Sequence, residues 1–198
     1  MIHLQESVFI LTHKLTSLIA EIMVVEQRPS ALPPINRFIT EHSVQGIAIF
    51  NKDIPEAVTA KAIPTGDLFH LGYATDEIPA DLNKDLAAYQ SHLTGDPVFT
   101  VPGGTTLSII DFVPGSSGPM HRTLSLDYSV LLEGELELIL DSGEAKTLQR
   151  GDIAIQRGTI HQWRNTSKTE WARMLFVLHD SKPVEVAGKL LEQEFRFE

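Results

Sequence analysis

The chain has 198 residues, of which 42% are apolar and 21% charged, and a formal charge of −10; this suits one globular domain with a well-buried core and excludes a largely disordered chain. The acidic balance leaves no basic stripe for a phosphate backbone, so no nucleic-acid partner is expected. With no cysteine there is neither a disulfide framework nor a thiolate site, so any metal must be held by His and carboxylate, and the cytoplasm is the expected compartment.

Leu4, Val8, Leu11, Leu15, Ile19 and Ile22 recur at helical spacing and form one apolar stripe. His13, Lys14 and Glu21 interrupt the segment, so it lacks the run of about 18 apolar residues that a span needs and no membrane partner is expected. The stripe must be covered, either by its own domain or by a second subunit; the second alternative makes the protein a homodimer. RPSALPP, residues 28–34, ends the helix, because prolines lack the donor and disfavour αR in the residue before them. Residues 1–31 therefore read as a helical extension and linker, and 32–198 as the main domain.

From Ile35 the period changes. INRFIT, GIAIFN and DLFHLGY read as strands. Pro79 opens a second helical pattern with Leu82, Leu86, Tyr89 and Leu93 on one face, closed by Gly95 and Pro97, which predicts a surface helix covering a sheet. TLSIIDF, ELELIL and ARMLFVLH are further strands, and DSGE and QRGD are turns. Strands at such short spacing predict an all-β sandwich or barrel. The C-terminal VAGKLLEQEF reads as a short helix.

The stretch from Pro114 to Asn165 carries the chemistry. His121 and His161 lie in separate strand-like segments, so only a tertiary fold can bring them together, and Asp127 is the natural third partner. Residues two apart on a strand share a face, which places Thr123 with His121 and Trp163 with His161. Trp163 and Tyr128 are candidates to pack on a substrate. Arg122 and Arg157 read as structural or surface ion pairs, and His70, His92 and His179 match no ligand spacing.

The same stretch resembles the cupin family, whose first motif runs Gly, five residues, His, one residue, His, three or four residues, Glu, then a later Gly. Here it is Gly115, His121, Thr123, Asp127 and Gly134. The second motif is matched by Gly151, Gly158, His161 and Asn165. Thr123 replaces the second His, Asp127 replaces Glu with one methylene less of reach, and Gln156 replaces a proline. The glycines and Asn165 are expected at turns and at the barrel end.

The resemblance covers roughly residues 32–183, with the barrel motifs within 105–180. It implies a double-stranded β-helix (jelly-roll) barrel with an N-terminal helix and a short accessory helix. It is similar to cupin-domain-containing oxidoreductases of fungal polyketide clusters and to related bacterial cupins. What it implies is a metal-dependent oxidoreductase of dioxygenase type acting on a small organic substrate. His121, Asp127 and His161 would be both the catalytic residues and the metal ligands, with Thr123, Tyr128 and Trp163 against substrate. Such a ligand set suits Fe(II) and leaves Mn, Ni, Co or Zn open. A metal-free site, in which one His works as acid and base and Asp127 orients it, is the alternative. Two other functions remain beside this one: a non-redox decarboxylase, lyase, dehydratase or isomerase, and a small-molecule binder without turnover.

Overall fold

The computed structural model describes residues 30–196; the helix expected at the N-terminus lies outside these residues. The chain enters through two short strands, β1 (Thr40–His42) and β2 (Ala48–Phe50), followed by β3 (Ala60–Ala62), β4 (Leu68–Thr75) and helix α1 (Asp85–His92). The barrel strands are β5 (Thr105–Phe112), β6 (Met120–Arg122), β7 (Ser125–Glu133), β8 (Leu136–Leu140), β9 (Ala145–Leu148), β10 (Ile153–Arg157), β11 (His161–Arg164) and β12 (Ala172–Asp180). A C-terminal hairpin, β13 (Glu185–Val186) and β14 (Lys189–Leu190), leads to β15 (Glu194–Arg196).

Two antiparallel sheets form the barrel. One has the order β10-β7-β12-β5-β4-β3 and the other β15-β6-β11-β8-β9. The core between them follows from period-2 alternation: Phe112, Leu131, Leu136, Trp163, Met174 and Phe176 point inward and are buried together. On β7 the inward set is Ser125, Asp127, Ser129 and Leu131, polar at the start of the strand and apolar toward its end. That gradient fixes which end of the barrel holds the polar site.

A second cluster covers β4, where Phe69 and Leu71 pack with Tyr89 of α1, Ile54 and Val101. The Tyr89 hydroxyl donates to the Leu71 carbonyl at 3.0 Å and accepts from Arg37. Deep among the barrel strands, Arg173 makes two hydrogen bonds to Asp111, at 2.5 and 2.7 Å, and a third to the Pro33 carbonyl at 2.7 Å. His70 completes this cluster, 3.5 Å from Asp111.

Gly134 shows why a motif glycine is needed. It sits at φ +75, and a Cβ there would lie 2.7 Å from the Trp171 carbonyl oxygen, so both torsion and space demand glycine. Gly151 and Gly158 also have positive φ. Asn165 is buried and ties the barrel end by donating to the Val113 and Glu170 carbonyls. Arg122 pairs with Glu194 at 3.4 Å, as a structural ion pair should.

Three elements depart from the sequence expectation. Residues 35–40 make only an isolated bridge, Asn36 to Ala57, before β1 starts at Thr40. The helix begins at Asp85 rather than near Pro79, leaving Leu82 79% exposed and off the buried face; only Leu86, Tyr89 and Leu93 of the expected face reach the core. The segment read as a C-terminal helix is instead the β13–β14 hairpin and β15. Ala187 and Gly188 both take positive φ there, the requirement of a tight two-residue hairpin turn, and no helix can contain it.

Candidate active site

His121 and His161 meet as direct partners across the β6–β11 ladder, with ring centroids 4.4 Å apart. Each ring is fixed by its own strand: His121 Nδ1 lies 3.0 Å from the Pro119 carbonyl and His161 Nδ1 2.9 Å from the Thr159 carbonyl. A carbonyl oxygen can only accept, so both Nδ1 atoms carry the proton and both Nε2 atoms are bare acceptors. Burial lowers the pKa of both rings, and for His161 the neighbouring His121 adds to it, bringing His161 down to about 4. Near neutral pH the pair is therefore uncharged.

Both rings line a cavity of about 520 Å³ inside the barrel. Phe99, Ile110, Phe112, Trp163, Phe176 and Leu178 give it mostly apolar walls, and such a cavity holds one small organic molecule. Thr123 lines it and accepts a hydrogen bond from the Ser125 hydroxyl at 2.9 Å. Trp163 lines it too, edge-on to His161 at 6.3 Å and to Phe176 at 6.0 Å.

Asp127 reaches the same cavity from β7, in the other sheet. It is buried, its Oδ1 meets no protein partner, and burial, opposed by a hydrogen bond from Ser125, raises its pKa to about 6. Among the described residues no group of three or more His, Asp or Glu side chains is arranged to hold a metal ion. The two histidines stand on one sheet and Asp127 on the other, so the cavity presents two neutral imidazoles with a buried carboxyl on its other wall.

Tyr128 departs further. Alternation along β7 sends it to the opposite face from Asp127, where it is 41% exposed and packs edge-on against His179. It does not border the cavity. Its register partner is Ile155 of β10, itself exposed.

Asp67, Gln156 and Phe195 also border the cavity, and the motif spacing did not single them out as site residues. Asp67, buried, accepts from Val113 N at 2.9 Å and Thr65 at 2.5 Å, and burial raises its pKa. Gln156 lies beside Asp127 in the β10–β7 ladder; its one visible signal was that it replaces a motif proline. Phe195 of β15 is the partner of His121 in the β15–β6 ladder and stacks on it, 5.7 Å away and 9° from parallel. No signal in the sequence marks it, because it lies more than seventy residues from its partner.

The family model described as "Cupin domain" matches residues 108–178. Phomopsin biosynthesis cluster protein C' of Diaporthe leptostromiformis is 51% identical over 158 residues, 79% of this chain and 84% of that protein. Oryzines biosynthesis cluster protein J of Aspergillus oryzae is 43% identical over 161 residues, 80% and 90% of the two chains. Cupin-domain-containing oxidoreductase srdB of Neurospora crassa is 37% identical over 160 residues, 79% of each. Among solved structures, the polyketide cyclase RemF of Streptomyces resistomycificus aligns with 71% of this chain and 81% of its own, at 17% identity and a TM-score of 0.45. No helix among the described residues is long and apolar enough to cross a membrane. With relatives at this identity over most of both chains, and both cupin motifs meeting in one barrel, the chain belongs to the cupin family.

Proposed function

We propose that this cupin is an enzyme of secondary metabolism that transforms a compact, largely apolar organic molecule by proton transfer inside the barrel. The observation that carries the reading is the anchored histidine pair: two bare Nε2 atoms, fixed through Nδ1, in an apolar cavity whose other wall holds Asp127. Two imidazolium rings 4.4 Å apart would repel, so the pair accepts one proton at a time. One Nε2 removes a proton from carbon beside a substrate carbonyl, and Asp127, held as an acid to about pH 6, faces the developing enolate. Isomerisation and dehydration begin with this step, and decarboxylation of a β-keto acid reaches the same enolate by breaking the bond to carbon dioxide, after which an acid returns a proton to carbon.

A metal-dependent oxidoreductase is the second reading. It is favoured by the names of relatives such as srdB and by the two neutral imidazoles, which His121 and His161 would offer to Fe(II), or to Mn, Ni, Co or Zn. Comparing the metabolites of the producing organism with this gene intact, deleted, or carrying His161→Ala separates the readings. Loss of water or carbon dioxide, or no change in mass, between accumulated precursor and missing product supports the first; a changed hydrogen pair or added oxygen supports the second. Unchanged metabolites in the His161→Ala strain would leave a binding protein without turnover.

In this reading the protein works in the cytoplasm as a homodimer. Ile153, Ile155 and Tyr128, exposed together on the outer face of β10 and β7, offer an apolar surface for a second copy. Sedimentation of the wild type against Ile155→Asp checks it: a monomer in both discards the dimer.

A further inference from the structure

The cavity contains more hydrogen-bonding capacity than its own walls satisfy. Three buried side chains lining it have a polar atom that meets no protein partner: Asp127 Oδ1, Gln156 Nε2 and Trp163 Nε1. Their residues are 4%, 3% and 5% exposed. Asp127 and Gln156 are register partners on β7 and β10, and Trp163 faces in from β11 of the other sheet. Two of the three are N–H donors, and the indole can do nothing but donate.

Donors in this state are uncommon in folded proteins, where buried polar groups find partners. Around them the walls are apolar and aromatic, and the three atoms lie just behind the cavity surface, so they gain a partner only from a ligand that their side chains turn to meet. A hydrocarbon would leave them stranded; a ligand with oxygen acceptors would not. Selectivity built this way is strong, because the wrong ligand leaves the donors unpaired.

From this we infer that Gln156 is a substrate-binding residue, and that the cavity selects oxygen-bearing molecules whose carbonyl or carboxyl oxygen accepts from Gln156 Nε2. The Trp163 indole donates to a further oxygen, and the Asp127 carboxyl meets a hydroxyl or second oxygen. The inference rests on the cavity being the substrate site and names the class of substrate it takes. It also gives the replaced motif proline a purpose, since proline at 156 has neither a side-chain donor nor reach into the barrel.

Acetophenone and ethylbenzene test it, being nearly equal in shape and differing by one carbonyl oxygen. Binding is read from the indole N–H resonance of Trp163 in the full chain, assigned with a Trp163→Phe variant. The wild type should bind acetophenone about tenfold more tightly than ethylbenzene. Gln156→Met, which keeps length and removes the donor, should reduce that preference to about twofold or less while ethylbenzene affinity holds. If Gln156→Met also loses ethylbenzene, Gln156→Leu is judged by the same criterion, and loss of ethylbenzene by both counts against the inference. An unchanged preference in the variant, or none in the wild type, overturns the inference and leaves the histidine-pair reading standing. Failure of both probes to enter the wild-type cavity sinks both.

Discussion

His121 and His161 face each other directly across the β6–β11 ladder, with ring centroids 4.4 Å apart and each Nδ1 held by the carbonyl two residues earlier, just before its strand begins. Because the lone pairs left over are both Nε2, the pair works only while neutral. Replacing His121 by Phe should raise the pKa of His161 from about 4 toward the ordinary range, by removing the neighbouring charge; burial keeps it below 6.5. Imidazole NMR titration reads this directly, and an unmoved His161 would show that burial alone sets its value.

The two sheets push stability in opposite directions with pH. Asp127, raised from 3.8 to about 6, binds more protons folded than unfolded across that window, so its contribution to stability falls as pH rises through it. His161, lowered from 6.5 to about 4, binds fewer when folded, so its contribution rises between those values. In the wild type the two oppose each other from about pH 4 to 6. Asp127→Asn should unmask the rise, gaining up to about 3 kcal/mol from pH 4 to pH 7 relative to wild type, and His161→Gln should unmask the fall. Urea unfolding across pH 4–7 measures both slopes; parallel profiles for the two variants would contradict the assignment.

Arg173 and Asp111 should be the costliest polar pair to break. Burial alone would raise the Asp111 pKa, but the two hydrogen bonds from Arg173 and its charge, with His70 and Ser30 close by, outweigh it and hold it at about 2. Arg173→Ala strands a buried carboxylate and the Pro33 carbonyl, at a cost of about 3–5 kcal/mol. Arg173→Met with Asp111→Leu should recover most of that loss. Equal destabilisation in the single and double variants would show that packing, not the stranded charge, dominates.

Phe195 should protect the cavity more than it stabilises the fold. β15 is three residues long; its ion pair of Arg196 with Asp141 is exposed and that of Glu194 with the largely buried Arg122 is long, at 3.4 Å, so neither holds the strand strongly. Phe195→Ala should leave unfolding stability within about 1 kcal/mol. In a Trp171→Phe background it should also make Trp163 several-fold more accessible to acrylamide quenching. Unchanged quenching would mean that β15 does not close this entrance.

The sequence by itself determined the strands of the barrel, its turns and the two motifs that carry the histidines. Period-2 alternation, the turn glycines and two short motifs are local features, and a strand's side-chain directions follow from its residues alone. Gly134 illustrates this: the motif predicts a turn, and the positive φ and the close Trp171 carbonyl supply the reason. Only the tertiary structure decided the rest. That Asp127 arrives from the opposite sheet, that Tyr128 turns outward, and that Phe195 stacks on His121 depend on which strands pair and which sheets face. Hydrogen bonding between strands far apart in the chain sets those outcomes, and no local pattern encodes it. Gln156 joins the two cases: its identity was plain in the motif, but its unpartnered amide beside Asp127 exists only once β10 lies against β7.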